Sequence, residues 1–468
     1  MELINSFPDF DGAFGDKRID KKAASALQKL MIGRNSSIRQ ITQTEAEQRS
    51  IYRLLDNETF SEQAIAAKIM ERCGSLCAGR HVLCIQDTSE FNLSGSKRLK
   101  PDTGLGDISK TGVRGFLLHS SLVVDAQKGS ALGFSHIKTW HRDEERQHKH
   151  ERQYHLQPTE QKESYKWIEA TTHSKELLKD ATAITIVADR ESDIYELYAL
   201  AKEHDMHVVL RSRFNRPLAA SGKMIDYLQS LDVMHSYSLP VLGDIRKGIE
   251  KRIALMDLKW SAVSIKRPSN TKDKSLPTKL DLYVVEAKEQ DNPKGICWRL
   301  LTTHPVNEAR DALQIIDWYK QRWHIEQVHR LLKKEGFRIE QSQLESGYAI
   351  RKLTMLATMA VLRIIQMMLA YEDDSEQEAS ALFDQDEQRC LTEVNVTLQG
   401  GTIKQQNTHK QGTIKWATWI IARLGGWKGY QSQRKPGPIV LQKGFIKFYN
   451  LYEGWNLYQN HLKDVYTQ

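Results

Sequence analysis

The sequence predicts an α/β protein: a mixed sheet interrupted by a β-rich insertion and flanked by helical N- and C-terminal regions. Three observations carry this expectation. Short apolar runs of strand length recur between His81 and Arg211, with helical segments between them. From Ser212 to Gly295 the texture changes to β-like alternation broken by Gly, Pro, Ser, Asn and Lys. The two ends of the chain carry helical periodicity instead. At 468 residues the chain suits two to four domains, and its 40% hydrophobic content supplies real cores and excludes wholesale disorder.

The first seventy residues read as three short helices. Asp16 can cap a segment in which Ile19, Ala23, Ala26, Leu27, Leu30 and Met31 recur at helical spacing, and Gly33 ends it. Thr44-Glu-Ala-Glu47 is a capping box for the second helix, and Ser61 can cap the third. Lys17, Arg18, Lys21, Lys22, Lys29, Arg34 and Arg39 gather here. They suit a solvated bundle, or a small domain that grips phosphates with cations and hydroxyls.

The sheet is expected to start at His81-Val-Leu-Cys-Ile-Gln-Asp87, an apolar run ending in a carboxylate. Gly115 to Asp125 and Ser130 to Trp140 follow as strands, then Lys162 to Lys179 as a helix. Ala183-Ile-Thr-Ile-Val-Ala-Asp189 is again a strand closing on an acid. A helix over Arg190 to His204 and a strand over His207 to Arg211 complete the set. An acid that ends a buried strand is costly unless water, a partner or a cation meets it. Asp193 reads as a charge beside a helix start. His141 to His155, dense in His and charge, reads as a mobile loop between strand and helix. In the insertion, Tyr237 to Leu242, Arg252 to Ile265 and Leu280 to Ala287 alternate in the β manner, and Trp298 to Thr303 returns to the main sheet.

A long helix is expected over Asn307 to Lys334. On it Tyr319, Arg322, Glu326 and Lys333 fall within a stripe about 60° wide at about 100° per residue, while Ile325, Val328 and Leu332 lie mostly opposite. Such a stripe is either an ordinary charged face or a phenol, a guanidinium, a carboxylate and an ammonium turned to one opening. Chemistry supplies a reason to join Asp87, Asp189 and Glu326. Mg²⁺ prefers carboxylate oxygens, and two such ions about 4 Å apart can activate the attacking oxygen and stabilise the leaving oxygen of a phosphodiester. Arg322 and Lys333 suit phosphate oxygens, and Tyr319 can hydrogen-bond one. The absence of a Gly-rich phosphate loop counts against ATP-driven chemistry. A buried helix over Arg351 to Tyr371 and helical stretches such as Ile414 to Leu424 close the chain.

The spacing Tyr319-x-x-Arg322-x-x-x-Glu326-x-x-x-x-x-x-Lys333 resembles the YREK signature of bacterial insertion-sequence transposases of the insertion-sequence-four family. Ala188-Asp-Arg-Glu-Ser-Asp193 and Ile85-Gln-Asp-Thr88 resemble that family's two aspartate motifs. Phe14-Gly-Asp-Lys-Arg18, Tyr52-Arg53, Lys166-Trp167, Trp298 and Ile421 to Gly426 sit where the family has similar strings. The resemblance implies a ribonuclease-H-like catalytic core over 71–211 and 296–371, with Asp87, Asp189 and Glu326 as catalytic metal ligands. It implies an insertion domain over 212–295, a helical DNA-binding domain over 1–70 and a helical dimerisation region over 372–468. Trp298 would stack on a flipped base. Tyr319, Arg322 and Lys333 would hold flanking phosphates, with Lys17, Arg18, Arg34 and Arg211 as further DNA contacts. The implied cofactor is Mg²⁺, with Mn²⁺ as a substitute. The implied partners are double-stranded DNA with inverted-repeat ends, target DNA and a second copy of the chain. The expected activity is cut-and-paste transposition through nicking, hairpin formation and opening, and strand transfer. The alternatives are a nuclease that never joins strands and an inactive end-binding inhibitor.

Composition sets the remaining bounds. Basic residues exceed acidic ones to give +8, a mild charge that permits a polyanionic partner. Five scattered cysteines argue against a disulfide framework. The most apolar stretch, Leu353 to Tyr371, is interrupted by Arg363 and Gln366 and reads as a core helix rather than a membrane span. The first residues lack the pattern of a secretory signal, so an intracellular protein is expected; the resemblance implies the bacterial cytoplasm, with nucleoid association through DNA.

Overall fold

A computed structural model describes residues 10–466 apart from 102, 109–111, 143–157, 242, 244–249, 335, 373–375 and 431–434, with side chains through 459. Nearly all of the His-rich stretch, 143–155 of 141–155, lies outside the described residues.

The N-terminal region has four helices rather than three: α1 (Lys17–Gly33), α2 (Ile38–Ile41), α3 (Glu45–Asp56) and α4 (Glu62–Leu76). The extra one is a single turn, too short for a periodic signal. The caps are made as the residue types dictate. Asp16 Oδ1 accepts from Arg18 N at 2.7 Å, Thr44 Oγ1 from Glu47 N at 3.2 Å, and Ser61 Oγ from Ala64 N at 3.1 Å. Glu47 reaches back to Gln43 N at 2.9 Å. Gly33 closes α1 where any side chain would collide with Ile41, and Arg34 beyond it takes the left-handed region at φ 46°.

Among the described residues ten strands form one sheet. β1 (His81–Asn92) pairs antiparallel with β3 (Arg114–Asp125), which also carries β2 (Gly106–Asp107) and β4 (Ala131–Trp140). On its other edge β1 pairs parallel with β5 (Ala183–Ala188), and β5 with β6 (His207–Arg211). Parallel neighbours need crossovers, supplied by α5 (Tyr165–Leu177) and α6 (Tyr195–Glu203). After α7 (Met224–Ser230) come β7 (His235–Val241), β8 (Arg252–Lys266) and β9 (Lys279–Glu289). They join the same sheet through β10 (Cys297–Thr302), which pairs with both β9 and β6. The β-rich stretch thus extends the central sheet.

Both faces of the central strands are covered, which explains their unbroken apolar runs. Val82, Cys84, Ile184 and Ile186 join a core with Trp167 of α5 and Tyr198 of α6. Leu83, Ile85 and Val187 join the other core. That second face meets α8 (Ala309–Lys320) and α9 (Trp323–Lys333). Side chains alternate along a strand, so Asp87 and Asp189 share this second face.

Two expectations about elements need correcting. The single helix over 307–334 is two helices. Gln321, Arg322 and His324 each bond the carbonyl three residues back, a tight turn that no Pro or Gly announces. Asp87 does not end its strand: β1 runs to Asn92 because β3 keeps pairing with it, from Asp87↔Ser120 to Asn92↔Gly115.

The remaining helices are α10 (Gly347–Glu372), α11 (Gln385–Leu398), α12 (Ile414–Leu424) and α13 (Pro438–Tyr466). Among the described residues α10 is the one helix long and apolar enough to cross a membrane, and 94% of that apolar window is buried inside the fold. Its interrupting charge, Arg363, is matched: the guanidinium donates to Glu387 Oε2 at 3.0 Å and to the Tyr449 hydroxyl.

Candidate active site

The sheet register builds the acidic site. The parallel pairing of β1 and β5 ends at Ile85↔Val187, because β5 stops at Ala188. Carried two residues further, the same register sets Asp87 level with Asp189. β1 continues there as an open edge with one partner strand. Asp189 caps a short turn, accepting from Glu191 N at 2.9 Å, and Asp87 Oδ1 accepts from Thr88 N at 2.8 Å.

Helix α9 supplies the third acid. Arg322 stands at its N-terminus and Glu326 one turn on, and the guanidinium donates to Glu326 Oε1. The same group lies 3.9 Å from Asp87 Oδ2. Burial pushes the Asp87 carboxyl up to about 7; Arg322 opposes this, while the fields of Asp189 and Glu326 add to it. Two neighbouring carboxylates act on a third, so the three acids share one electrostatic environment. Asp87, Asp189 and Glu326 are each half-buried.

Trp298 comes to the same place from β10. Its indole meets Tyr319 edge-on at 6.0 Å between centroids, and the Arg322 guanidinium lies 6.0 Å from the centre of that phenol. Tyr319 itself is 5% exposed, so the break between α8 and α9 turns it into the core and off the expected stripe. Lys333 packs its ammonium over Phe91 at 5.2 Å, and burial lowers its pKa. Arg211, at the end of β6, donates to Cys297 O at 3.0 Å, beside Trp298.

The N-terminal cations divide. Lys17 and Arg18 are exposed on the first turn of α1. Arg34 is not available to DNA. It is 1% exposed, donates to Ala360 O at 3.1 Å, and lies 4.0 Å over the Phe445 ring, with burial lowering its pKa to about 9. Asp193 also differs from expectation. It is buried, paired with Arg216 at 2.5 Å, and accepts from Arg213 N at 2.7 Å and from Tyr198 at 2.9 Å, fastening the chain after β6 to α6.

Sequence reasoning missed His329. Its Nδ1 lies 3.8 Å from Asp87 Oδ2 and its Nε2 3.3 Å from Ser120 Oγ; burial lowers its pKa to about 3, so it is a neutral wall beside the acid. The signal was present: position 329 is three after Glu326, the same helix face.

Half-buried carboxylates are hard oxygen donors of the kind a divalent cation prefers. Among the described residues, however, no three His, Cys, Asp or Glu are gathered closely enough to hold one, and Arg322 engages Glu326 instead.

Residues 139–363 match the transposase DDE domain family. The matched DDE domain contains Asp189, Trp298, Arg322 and Glu326, and the match supports a DDE transposase. Asp87 lies outside the matched DDE stretch and reaches the site only through the β1–β5 register. Among solved structures the chain is similar to one described as a cryo-EM structure of the piggyBac transposase synaptic complex with hairpin DNA. That similarity has 10% identity and a TM-score of 0.35, over all of this chain and 82% of the other.

Proposed function

We propose that the protein is a divalent-metal-dependent DDE transposase of the insertion-sequence-four type, acting at inverted-repeat DNA ends. The observation that carries this reading is Arg322, which bonds Glu326 and lies 3.9 Å from Asp87, with the β1–β5 register bringing Asp189 level with Asp87. Asp87, Asp189 and Glu326 would hold Mg²⁺, or Mn²⁺ in its place, once Arg322 releases Glu326. A bound divalent ion supplies Lewis-acid polarisation of a phosphodiester and an activated oxygen nucleophile. Arg322 then turns its planar fork to a phosphate oxygen, and Lys333 adds a point charge. Trp298 offers an indole face to an unstacked base, an interaction worth about 1–3 kcal/mol. The exposed Lys17 and Arg18 suit backbone phosphates. Cut-and-paste transposition through a hairpin, target DNA capture and a DNA-bound homodimer belong to the same reading.

The test is Glu326→Gln, which keeps the shape and removes the charge. Purified variant should bind end-sequence DNA but not nick it in Mg²⁺; normal nicking would refute the assignment. Supplying target DNA in the same reaction separates a transposase, which joins strands, from a nuclease, which only cuts.

A further inference from the structure

The outer hairpin of the sheet carries charge that the acidic site does not use. From Lys266 to Lys279 the chain holds Lys266, Arg267, Lys272, Lys274 and Lys279 against one acid, Asp273. That acid is occupied by its own turn, accepting from Ser275 N at 2.9 Å and Ser275 Oγ at 2.5 Å. Lys266 and Lys279 stand directly opposite each other in the β8–β9 ladder, and both are exposed. Like charges so placed destabilise an antiparallel pair. Among the described residues neither ammonium has an ion-pair partner.

The loop between them is built. Arg267 Nη1 donates to the carbonyls of Lys274 at 2.8 Å and Leu276 at 2.5 Å, and Lys274 Nζ donates to Thr271 O at 2.7 Å. These bonds hold open a cavity of about 400 Å³ lined by Lys266, Arg267, Lys274 and Lys279, with the hydroxyls of Ser269 and Thr278 and no acid in its lining. Ammonium groups with hydroxyl donors beside them, and no carboxylate, select an anion such as phosphate. The lining has no aromatic side chain to stack on a base and no Asn or Gln to read an adenine, and Arg267 Nη1 is engaged by the loop carbonyls, so the exposed ammonium groups are left for phosphate oxygens.

We infer that this hairpin is a sequence-independent docking site for the phosphate backbone of duplex DNA, remote from the acidic site. The choice of DNA among phosphate-bearing partners rests on the transposase reading above. Ala287 stands across from Trp298 in the ladder, and β9 runs from there back to Lys279. At about 3.4 Å per residue that is about 27 Å, the length of about eight base pairs. The hairpin therefore meets DNA well away from the linkage being cut.

The experiment compares the full chain with the Lys266→Gln/Lys279→Gln double variant. Binding is measured over a salt series, on a duplex long enough to span both regions, with and without the inverted-repeat sequence. The variant should lose about tenfold in affinity at low salt, and its log–log salt slope should shrink by about two, equally on both duplexes. Its thermal melt should hold or rise, since a like-charge pair is removed. An unchanged slope overturns the inference, and so does a loss confined to the inverted-repeat duplex. Nicking in Mg²⁺ on the same preparations keeps the two readings apart. Binding with the slope change but no cutting by the wild-type chain removes the transposase reading alone. Cutting with an unchanged slope removes the hairpin site alone, and no binding by either protein removes both.

Discussion

Two of the arginine–carboxylate clusters differ in how their charge is balanced. In the helical region Arg363 is 2% exposed and its guanidinium meets Glu387 and the Tyr449 hydroxyl, with Tyr449 in turn donating to Glu387 Oε1 at 2.6 Å. Arg363 and Glu387 thus match each other's charge inside the protein. Past the end of β5, Arg322 meets both Asp87 and Glu326, two half-buried acids to one guanidinium, with the field of Asp189 also acting on Asp87. A buried ion pair that is matched fastens helices together. A cluster with more carboxylates than cations fastens nothing and leaves charge for the metal-binding role proposed above.

That contrast can be broken by experiment. The largest stability effect should come from Arg363→Ala, which strands Glu387 and should cost about 3–5 kcal/mol, read by denaturant titration. Arg322→Ala should cost far less in the same titration yet remove Mg²⁺-dependent nicking. If the two variants lose equal stability, the distinction between the two clusters fails. Acid should act next. Burial first, then neighbouring cations and imidazoles, lowers His136 and His304 to about 3. Unfolded histidines take up protons near 6.5, so the unfolded chain gains them first as pH falls. Stability should therefore decline from about pH 6.5 toward pH 3, and a flat pH–stability profile over that range would contradict their burial as neutral rings. Trp298→Ala should slow hairpin formation more than first nicking; equal slowing would remove its stacking role. The smallest effect should come from Arg34→Met. An unmatched buried guanidinium replaced by an apolar chain should change stability by about 1 kcal/mol or less and leave DNA affinity unaltered. A loss of DNA affinity there would restore Arg34 as a phosphate contact.

Much of the site could be read from residue types and spacing. Strand-like runs around Asp87 and Asp189 and helical spacing around Glu326 were visible because periodicity reports which face a side chain takes. The same reasoning failed at Tyr319, because a tight turn without Gly or Pro rotates α9 relative to α8 and leaves no mark in composition. It failed at Arg34 and Asp193 too. A charged residue reads as exposed until its partner is known, and Ala360, Phe445 and Arg216 are all distant in the chain.

By itself the sequence determined the main strands, the capped helix starts and which acids are candidates, since propensity, capping and alternation are local. Only the tertiary structure decided that Arg322 meets both Asp87 and Glu326. The β1–β5 register levels Asp87 with Asp189, the early end of β5 opens the β1 edge, and the turn at Gln321 aims Arg322 and Glu326 at the site. It also decided that the β-rich stretch extends the central sheet. Register and helix docking arise from side chains hundreds of residues apart, whose packing no local window can contain.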